Sequence, residues 1–356
     1  MTATIELETI RDFSNGVFEA AGLTGQDAVI VTDVLIHADL RGHGSHGLTR
    51  IPIYADRIKA GVVKASPDIK FERPSPGVLV VDGDNGPGPV VSLRALEAGL
   101  EVARENGVCV ATVGHSNHNG AGSFYVEKAV AAGCIAIAMT NAPPSMTVFG
   151  GRQSVIGTNP ITFGTPIAGE TPVLLDMATS VVARGKIVEA AKRGEAIPEG
   201  WALDADGKPT TSGMAAEKGV VLPLSGPKGS ALAIMVEVLC GVLSGGRFAG
   251  DLGNLYSDFV TPQDIGHFML LIDVSRTHVA GTHADRVREL VNALKECALA
   301  DGFDAILMPG ELEQARARKT RAAGITLPDN VIADLDAVAA GLGQRPLSGL
   351  IAEVVQ

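Results

Sequence analysis

A chain of 356 residues, 46% of them hydrophobic and 19% charged, is long enough for two or three lobes and too apolar to be disordered. A formal charge of −11 argues against nucleic acid or an anionic membrane as the main partner, although arginines gathered in a cleft can still hold an acidic small molecule. Cys109, Cys134, Cys240 and Cys297 are scattered with no C-x-x-C pair, and three lie in apolar runs, so reduced, buried thiols are expected. The N-terminus carries acids and no apolar secretory segment. The most apolar run, 231–243, has 13 residues and contains Glu237, too short to span a bilayer, so a cytoplasmic protein is expected.

Thr24 predicts a helix N-cap, and Val31, Val34, Leu35 and Ala38 follow at helical spacing until the glycines after Leu40. Ile51, Tyr54, Ala55 and Ile58 repeat that spacing, with Pro52 in the tolerant first turn and Gly61 as the stop. "RGHGSHG" (41–47) is therefore a connection between helices. From residue 77 the pattern changes to short apolar runs at 77–83, 107–113, 134–140, 172–178 and 267–274, which read as buried strands. Helical stretches separate them near 91–105, 121–132, 179–193, 228–243 and 283–300. The stretch 202–210 reads as a surface excursion, and one or two helices close the chain after Pro328. The alternation predicts an α/β fold, a sheet covered by helices, behind an N-terminal helical region.

Four of the eight histidines fall in two H-x-x-H loops, His43 with His46 and His115 with His118. Such pairs can supply zinc ligands, which would make the protein a zinc-dependent hydrolase or lyase. Neither pair stands in an H-E-x-x-H signature or beside a carboxylate or cysteine at ligand spacing, so no metal is expected. Histidine is also the side chain best suited to exchange a proton near neutral pH. Arg50, four residues after His46, suits a carboxylate next to a carbonyl or hydroxyl, because its fork binds a carboxylate in two parallel hydrogen bonds. The nearest approach to a Rossmann fingerprint, "GAGSFY" (120–125), has Tyr125 at the third glycine position. "SGPKGSA" (225–231) puts Lys228 between glycines at a helix start, an arrangement suited to a phosphate.

Seven blocks taken in order, "ADLRGHGSHGLTRIPIYADRIKAG", "VGHSNHNGAGSFYVEKAVAAG", "FGGRQSVIGTNPITFGTP", "LLDMATSVVARGKI", "IPEGWALDADGKPTT", "LSGPKGSALAIMVEVLCGVLSG" and "LMPGE", resemble the malate/L-lactate dehydrogenase family of the type without a Rossmann fold. Its relatives include sulfolactate, ureidoglycolate and diketogulonate dehydrogenases or reductases and a Δ1-piperideine-2-carboxylate reductase. The resemblance implies a non-Rossmann mixed sheet, NAD or NADP as cofactor, a small 2-hydroxy or 2-oxo acid as substrate, and a homodimer. It implies catalysis by His46 or His118, and substrate binding by Ser45, Arg50 and Thr158. Asn159, Asp176, Met177, Ala178, Lys228, Pro309, Gly310 and Glu311 match cofactor-contacting stretches. His43 and His115 are expected to be structural. On the same basis 1–75 forms an N-terminal helical substrate and dimer region, 76–115 with 275–356 a mixed α/β domain, and 116–274 the NAD(P)-binding domain.

Three departures stand beside the expected site: Gly44 where many relatives carry an acid, "HNGAGSFY" where the second loop often reads "HFGxAGYY", and "GSA" after Lys228 where relatives often carry a tyrosine and glycine. They leave the substrate open. Reduction of a cyclic ketimine beside the same carboxylate is the main alternative within enzymes, and a non-catalytic NAD(P)-binding protein is another class.

Overall fold

The computed structural model describes residues 2–167, 170–277 and 283–354. Strand β1 (Thr2–Ile5) leads into helices α1 (Leu7–Ala21), α2 (Gly25–Leu40) and α3 (Ile51–Lys59). The Thr24 hydroxyl accepts the Asp27 N–H and starts α2 as its sequence predicts. Val31, Val34, Leu35 and Ala38 are all buried, but so is most of the rest of α2, because this helix is enclosed on several sides. Between α2 and α3 the glycine-rich loop folds into two single 3-10 turns, Gly44–His46 and Leu48–Arg50.

The sheet begins with β2 (Lys70–Ser75) and β3 (Val78–Asp82), followed by α4 (Gly88–Asn106), β4 (Val108–Ser116), α5 (Gly122–Ala131), β5 (Cys134–Thr140), β6 (Ile161–Thr165) and β7 (Val173–Met177). Then come α6 (Arg184–Arg193), short strands β8 (Ala202–Leu203) and β9 (Pro209–Thr210), α7 (Gly213–Glu217), β10 (Val220–Val221) and α8 (Pro227–Glu237). Strand β11 (Ile265–Asp273) returns to the sheet before α9 (His283–Lys295), α10 (Glu311–Ala323), β12 (Ile325–Pro328), α11 (Asp329–Gly341) and α12 (Leu347–Val354).

The seven-stranded sheet has the order β2-β3-β4-β11-β5-β6-β7. Only β3 and β4 run parallel; every other neighbouring pair is antiparallel. This is the mixed, non-Rossmann sheet that the resemblance implies, since a doubly wound nucleotide fold needs successive parallel crossovers. Insertion of β11 between β4 and β5 brings the end of the 115–120 loop beside residues distant in sequence. Outside the seven-stranded sheet, β1 pairs antiparallel with β12, joining the N-terminal segment to the C-terminal helices.

Several elements differ from their prediction. The strands β2 and β6 carry weak local signals: every residue of β2 is exposed on the sheet edge, and β6 is short and contains Gly164. Helix α6 begins at Arg184 rather than 179, because Thr179 and Val181 donate instead to Thr158 and Leu222 carbonyls of neighbouring segments. Helix α8 ends at Glu237, and Val238–Val242 continues it as a π turn. Helix α1 lies in the N-terminal region expected to be helical, although the spacing predicts no particular helix there, and α10 has no predicted counterpart.

The largest apolar core runs from Ile5 through the sheet to Leu347, and two smaller clusters lie within 146–233. Cys109, Cys134 and Cys240 are buried thiols and Cys297 is exposed. Among the described residues no helix is long and apolar enough to cross a membrane.

Candidate active site

The two H-x-x-H loops do not meet as two equivalent pairs. His46 and His118 approach with ring centroids 5.5 Å apart and planes 28° from parallel. His115 turns away: its backbone is left-handed (φ 51°), and its exposed Nδ1 lies 3.0 Å from Asp82 Oδ1 on β3. Among the described residues, no group of three or more His, Cys, Asp or Glu is gathered as a metal site. One histidine from each loop faces the other across a gap.

The first loop is braced from beneath by Asp39, near the end of α2. Its Oδ2 accepts the Leu48 N–H at 2.7 Å, and a Cβ on Gly47 would stand 2.1 Å from the same oxygen. Gly47 is therefore required by space, since its φ of −96° suits any residue. Burial pushes the Asp39 carboxyl up to about 7 against the effect of that hydrogen bond. Above the brace, Ser45 Oγ lies 3.0 Å from His46 Nδ1, and Arg50 Nε donates to the Ser45 carbonyl at 2.7 Å. Arg50 Nη1 is buried without a partner, and the guanidinium lies 5.3 Å from the ring centre of Tyr256.

Tyr54, the fourth residue after Arg50, stands on the same helix face and reaches the second loop. Its hydroxyl lies 2.5 Å from His118 Nδ1, and the Gly120 N–H points at the same nitrogen from 3.4 Å. A backbone N–H can only donate, so Nδ1 accepts and the neutral ring carries its proton on Nε2. Burial raises the Tyr54 pKa, which keeps the hydroxyl a donor. Burial, then Arg50, His46 and His267, hold His118 well below the usual imidazole range. Burial, then Arg50 and His43, lower His46 to about 4. Both rings are neutral at pH 7.

His267, near the start of β11, fixes the second loop from behind. Its Nε2 lies 2.9 Å from Ser116 Oγ and its Nδ1 2.9 Å from Thr140 Oγ1. The Asn119 amide nitrogen also lies 3.4 Å from His267 Nδ1, and the Thr140 hydroxyl is within reach of the Asn141 and Gly266 carbonyls, so the ring is tied to several neighbouring segments. Gln263 Oε1 accepts the His118 N–H at 3.1 Å.

The expected cofactor stretches fall into two places. Thr158, Asn159, Asp176–Ala178 and the Lys228 helix are knitted together: Thr179 N–H donates to the Thr158 carbonyl, Leu224 N–H to that of Thr179, and Asn159 Nδ2 to Ala233 O and Glu237 Oε1. Asn159 is wholly buried at φ 30°, with its Oδ1 accepting from Ala142 N, so its amide is committed to the fold. The Asp176 carboxylate accepts from Ser123 N at 2.9 Å and Thr162 Oγ1 at 3.1 Å, bringing the end of β7 to the helix that follows the His118 loop. Lys228 is exposed in the first turn of α8, with no ion pair among the described residues. Pro309, Gly310 and Glu311 stand apart, where Pro309 O accepts from Leu174 near the beginning of β7 and Glu311 pairs with Lys295. Glu311 lines an open cleft there with Val173 and Lys295.

The sequence reading missed Tyr54, Asp39, Gln263 and His267 as parts of this site. Tyr54 could have been found from its i, i+4 relation to Arg50; the others have no local signal.

The family model described as malate/L-lactate dehydrogenase matches residues 5–336. The chain belongs to the malate/L-lactate dehydrogenase family. It is 37% identical to an L-sulfolactate dehydrogenase of Methanothermobacter thermautotrophicus over 89% of this chain and 90% of that one. It is 33% identical to an Escherichia coli ureidoglycolate dehydrogenase (NAD(+)) over 92% and 93%. A (2R)-3-sulfolactate dehydrogenase (NADP(+)) of Chromohalobacter salexigens is 34% identical over 95% and 99%. Among solved structures, the sulfolactate dehydrogenase of Methanocaldococcus jannaschii superposes with a TM-score of 0.92 at 34% identity, covering 98% of this chain and all of that one. The Δ1-piperideine-2-carboxylate reductase of Pseudomonas syringae superposes at 0.85 with 30% identity, over 95% and 100%. Family membership explains why the chain lacks a Rossmann fingerprint: its sheet has one parallel pair and no successive crossovers.

Proposed function

We propose that the protein is an NAD(P)-dependent dehydrogenase that interconverts a 2-hydroxy acid and its 2-oxo acid. The observation carrying this reading is the buried, unpartnered Arg50 Nη1 beside two stacked neutral imidazoles. That combination is complementary to a carboxylate with an exchangeable proton on the adjacent carbon's oxygen.

Arg50 takes the substrate carboxylate. Its Nε is already held by the Ser45 carbonyl, so Nη1 and the rest of the fork present a fixed direction. His46 exchanges the proton with the substrate oxygen, and Ser45 orients its ring. His118, fixed by Tyr54 as the Nε2–H tautomer, donates a hydrogen bond to the same oxygen and stabilises charge that develops there. Substrate binding also adjusts His46: a carboxylate on Arg50 cancels one of the charges that depress its pKa, moving the imidazole toward proton exchange at neutral pH.

Bound NAD or NADP supplies the hydride acceptor or donor at C2. The residues fit such a group in one respect visible here, the unpaired Lys228 ammonium at the N-terminal turn of α8, where a phosphate is favoured. Met177, Ala178 and Thr158 border the same neighbourhood, while Asp176 and Asn159 act by holding it in shape. The two small cores within 146–233 support treating 116–274 as the cofactor-binding unit. The exposed apolar row Ile234, Met235, Val238 and Val242 supports a homodimer, to be checked by sedimentation.

Similarity to the piperideine reductase supports a second reading, reduction of a cyclic ketimine whose carboxylate would occupy Arg50 in the same way. One assay decides between them: NADH and NADPH oxidation, with chelator present, against oxaloacetate, pyruvate, sulfopyruvate, oxalurate and Δ1-piperideine-2-carboxylate. Turnover of a 2-oxo acid supports the first reading and turnover of the imine alone the second. Silence with all five rejects both.

A further inference from the structure

The two loops that carry His46 and His118 adjoin the ends of two helices, and two polar rungs join those helices. His37 and Arg41 stand four residues apart at the C-terminal end of α2, which launches the His46 loop. Ser123 and Glu127 stand four residues apart at the start of α5, which follows the His118 loop. His37 Nε2 lies 3.2 Å from Ser123 Oγ, and Arg41 Nη2 donates to Glu127 Oε2 at 2.5 Å. Arg41 Nη1 lies 3.0 Å from His37 Nδ1 and links the rungs. A guanidinium only donates, so His37 Nδ1 accepts and its Nε2–H donates to Ser123. Burial, then Arg41 beside it, holds the His37 pKa well below the usual imidazole range, which keeps this neutral form.

His37, Arg41 and Ser123 are buried, while Glu127 is half-buried and its Oε1 accepts from Gln314 of α10 at 2.7 Å. His43, Lys128 and Arg321 face the same cluster, so Glu127 and, less strongly, Asp176 balance its positive charge. The Ser123 N–H donates to Asp176 Oδ2, which holds the first turn of α5 to β7 as well. Residues 41–47 include three glycines and residues 114–122 another three, so both loops depend on what holds their ends. Tyr54 on α3 joins them beyond the histidines, and the two rungs join them on the α2 side. A buried ion pair is weak evidence for stability, and its best attested use is to fix register between elements.

We propose that Arg41, Glu127, His37 and Ser123 form a positioning clamp that sets His46 against His118. They act through the two imidazoles and not on the substrate. The inference rests on the proposed dehydrogenase reading, in which a misplacement of about 1 Å between reacting groups costs about a hundredfold in rate.

The test reads geometry and rate separately. Glu127→Ala removes the outer rung, and Ser123→Ala removes only the hydroxyl of the inner one. In protein made with isotopically labelled histidine, the ring signals of His46 and His118 are assigned by their loss in His46→Gln and His118→Gln. Because the two rings stack, each signal reports on the position of the other. Steady-state rates with the acid that the wild type turns over best are expressed per cofactor-binding site, counted by fluorescence titration. Both ring signals are expected to move in each variant. The kcat per site is expected to fall about 10- to 100-fold in Glu127→Ala and about 3- to 10-fold in Ser123→Ala, with KM for the cofactor unchanged. A merely structural pair would lower thermal stability and leave the ring signals and kcat per site at wild-type values, which overturns the clamp. Should Glu127→Ala not fold, the same readings in Ser123→Ala decide. If the wild type turns over no acid, the dehydrogenase reading fails separately and the ring signals alone decide, moved signals upholding the clamp and unmoved ones overturning it.

Discussion

Tyr54 and His118, from a helix and a loop 64 residues apart in sequence, meet with the tyrosine hydroxyl 2.5 Å from the imidazole Nδ1. This contact selects the tautomer of His118 and so places its ring proton on Nε2, the proton that the proposed mechanism uses. Tyr54→Phe should keep the fold, because the ring remains in the core, but should release His118 to either tautomer. We expect kcat to fall by about 10- to 100-fold, in line with losing one buried hydrogen bond, with KM for the cofactor unchanged. Steady-state kinetics with varied NAD(P)H and varied acid separates the two.

Replacing either imidazole should separate proton exchange from charge stabilisation. His46→Ala is expected to lower kcat by about 10²- to 10⁴-fold, the range of general acid–base catalysis, with cofactor binding retained. His118→Ala should cost about as much as losing one oxyanion donor, about 10²- to 10³-fold. Cofactor fluorescence titration checks binding in each variant. Wild-type turnover in His46→Ala would falsify its assignment.

Arg50→Lys keeps the charge and loses the fork. The expected result is a rise in KM for the acid of about tenfold or more, since a single ammonium cannot reproduce two parallel bonds to a carboxylate. KM for the cofactor should stay put. A parallel rise in both would instead point to a displaced loop.

The pH dependence follows from the depressed histidines. In the free enzyme His46 titrates at about 4, so kcat/KM for oxidation of the hydroxy acid, which uses the neutral ring, should be flat near neutrality and fall only as the pH approaches 4. Reduction, which needs the protonated ring, should slow as the pH rises. Stability has the same origin. A histidine whose pKa is lower folded than unfolded contributes stability above about 6.5 and loses it as the pH falls through 6.5 toward the folded value. Buried His37, His118 and His267 are depressed in the same direction. Thermal melts should therefore drop from about pH 6.5 downward, and His46→Gln should reduce that slope.

Gly47→Ala tests the brace under the first loop. The new methyl would collide with the Asp39 carboxylate, so either the loop or the carboxylate moves. A loss of about 1–3 kcal/mol is expected from overpacking, together with a sharp fall in turnover. Denaturant unfolding and kinetics on the same sample measure both.

The amino-acid sequence by itself determined the helices whose apolar spacing is regular, such as α2 and α3, and the apolar strands β4, β5 and β11. It also offered His46 and Arg50 as a proton carrier beside a carboxylate fork, while His118 was singled out by the family resemblance. Only the tertiary structure decided that His46 pairs with His118 rather than with its neighbour His43, since that depends on where β4 ends and on the left-handed turn at His115 that follows the sheet register. Asp39, Gln263 and His267 became parts of the site for the same reason. Each is a polar residue in a segment whose local pattern reports only burial, and its role arises from the element that packs across from it.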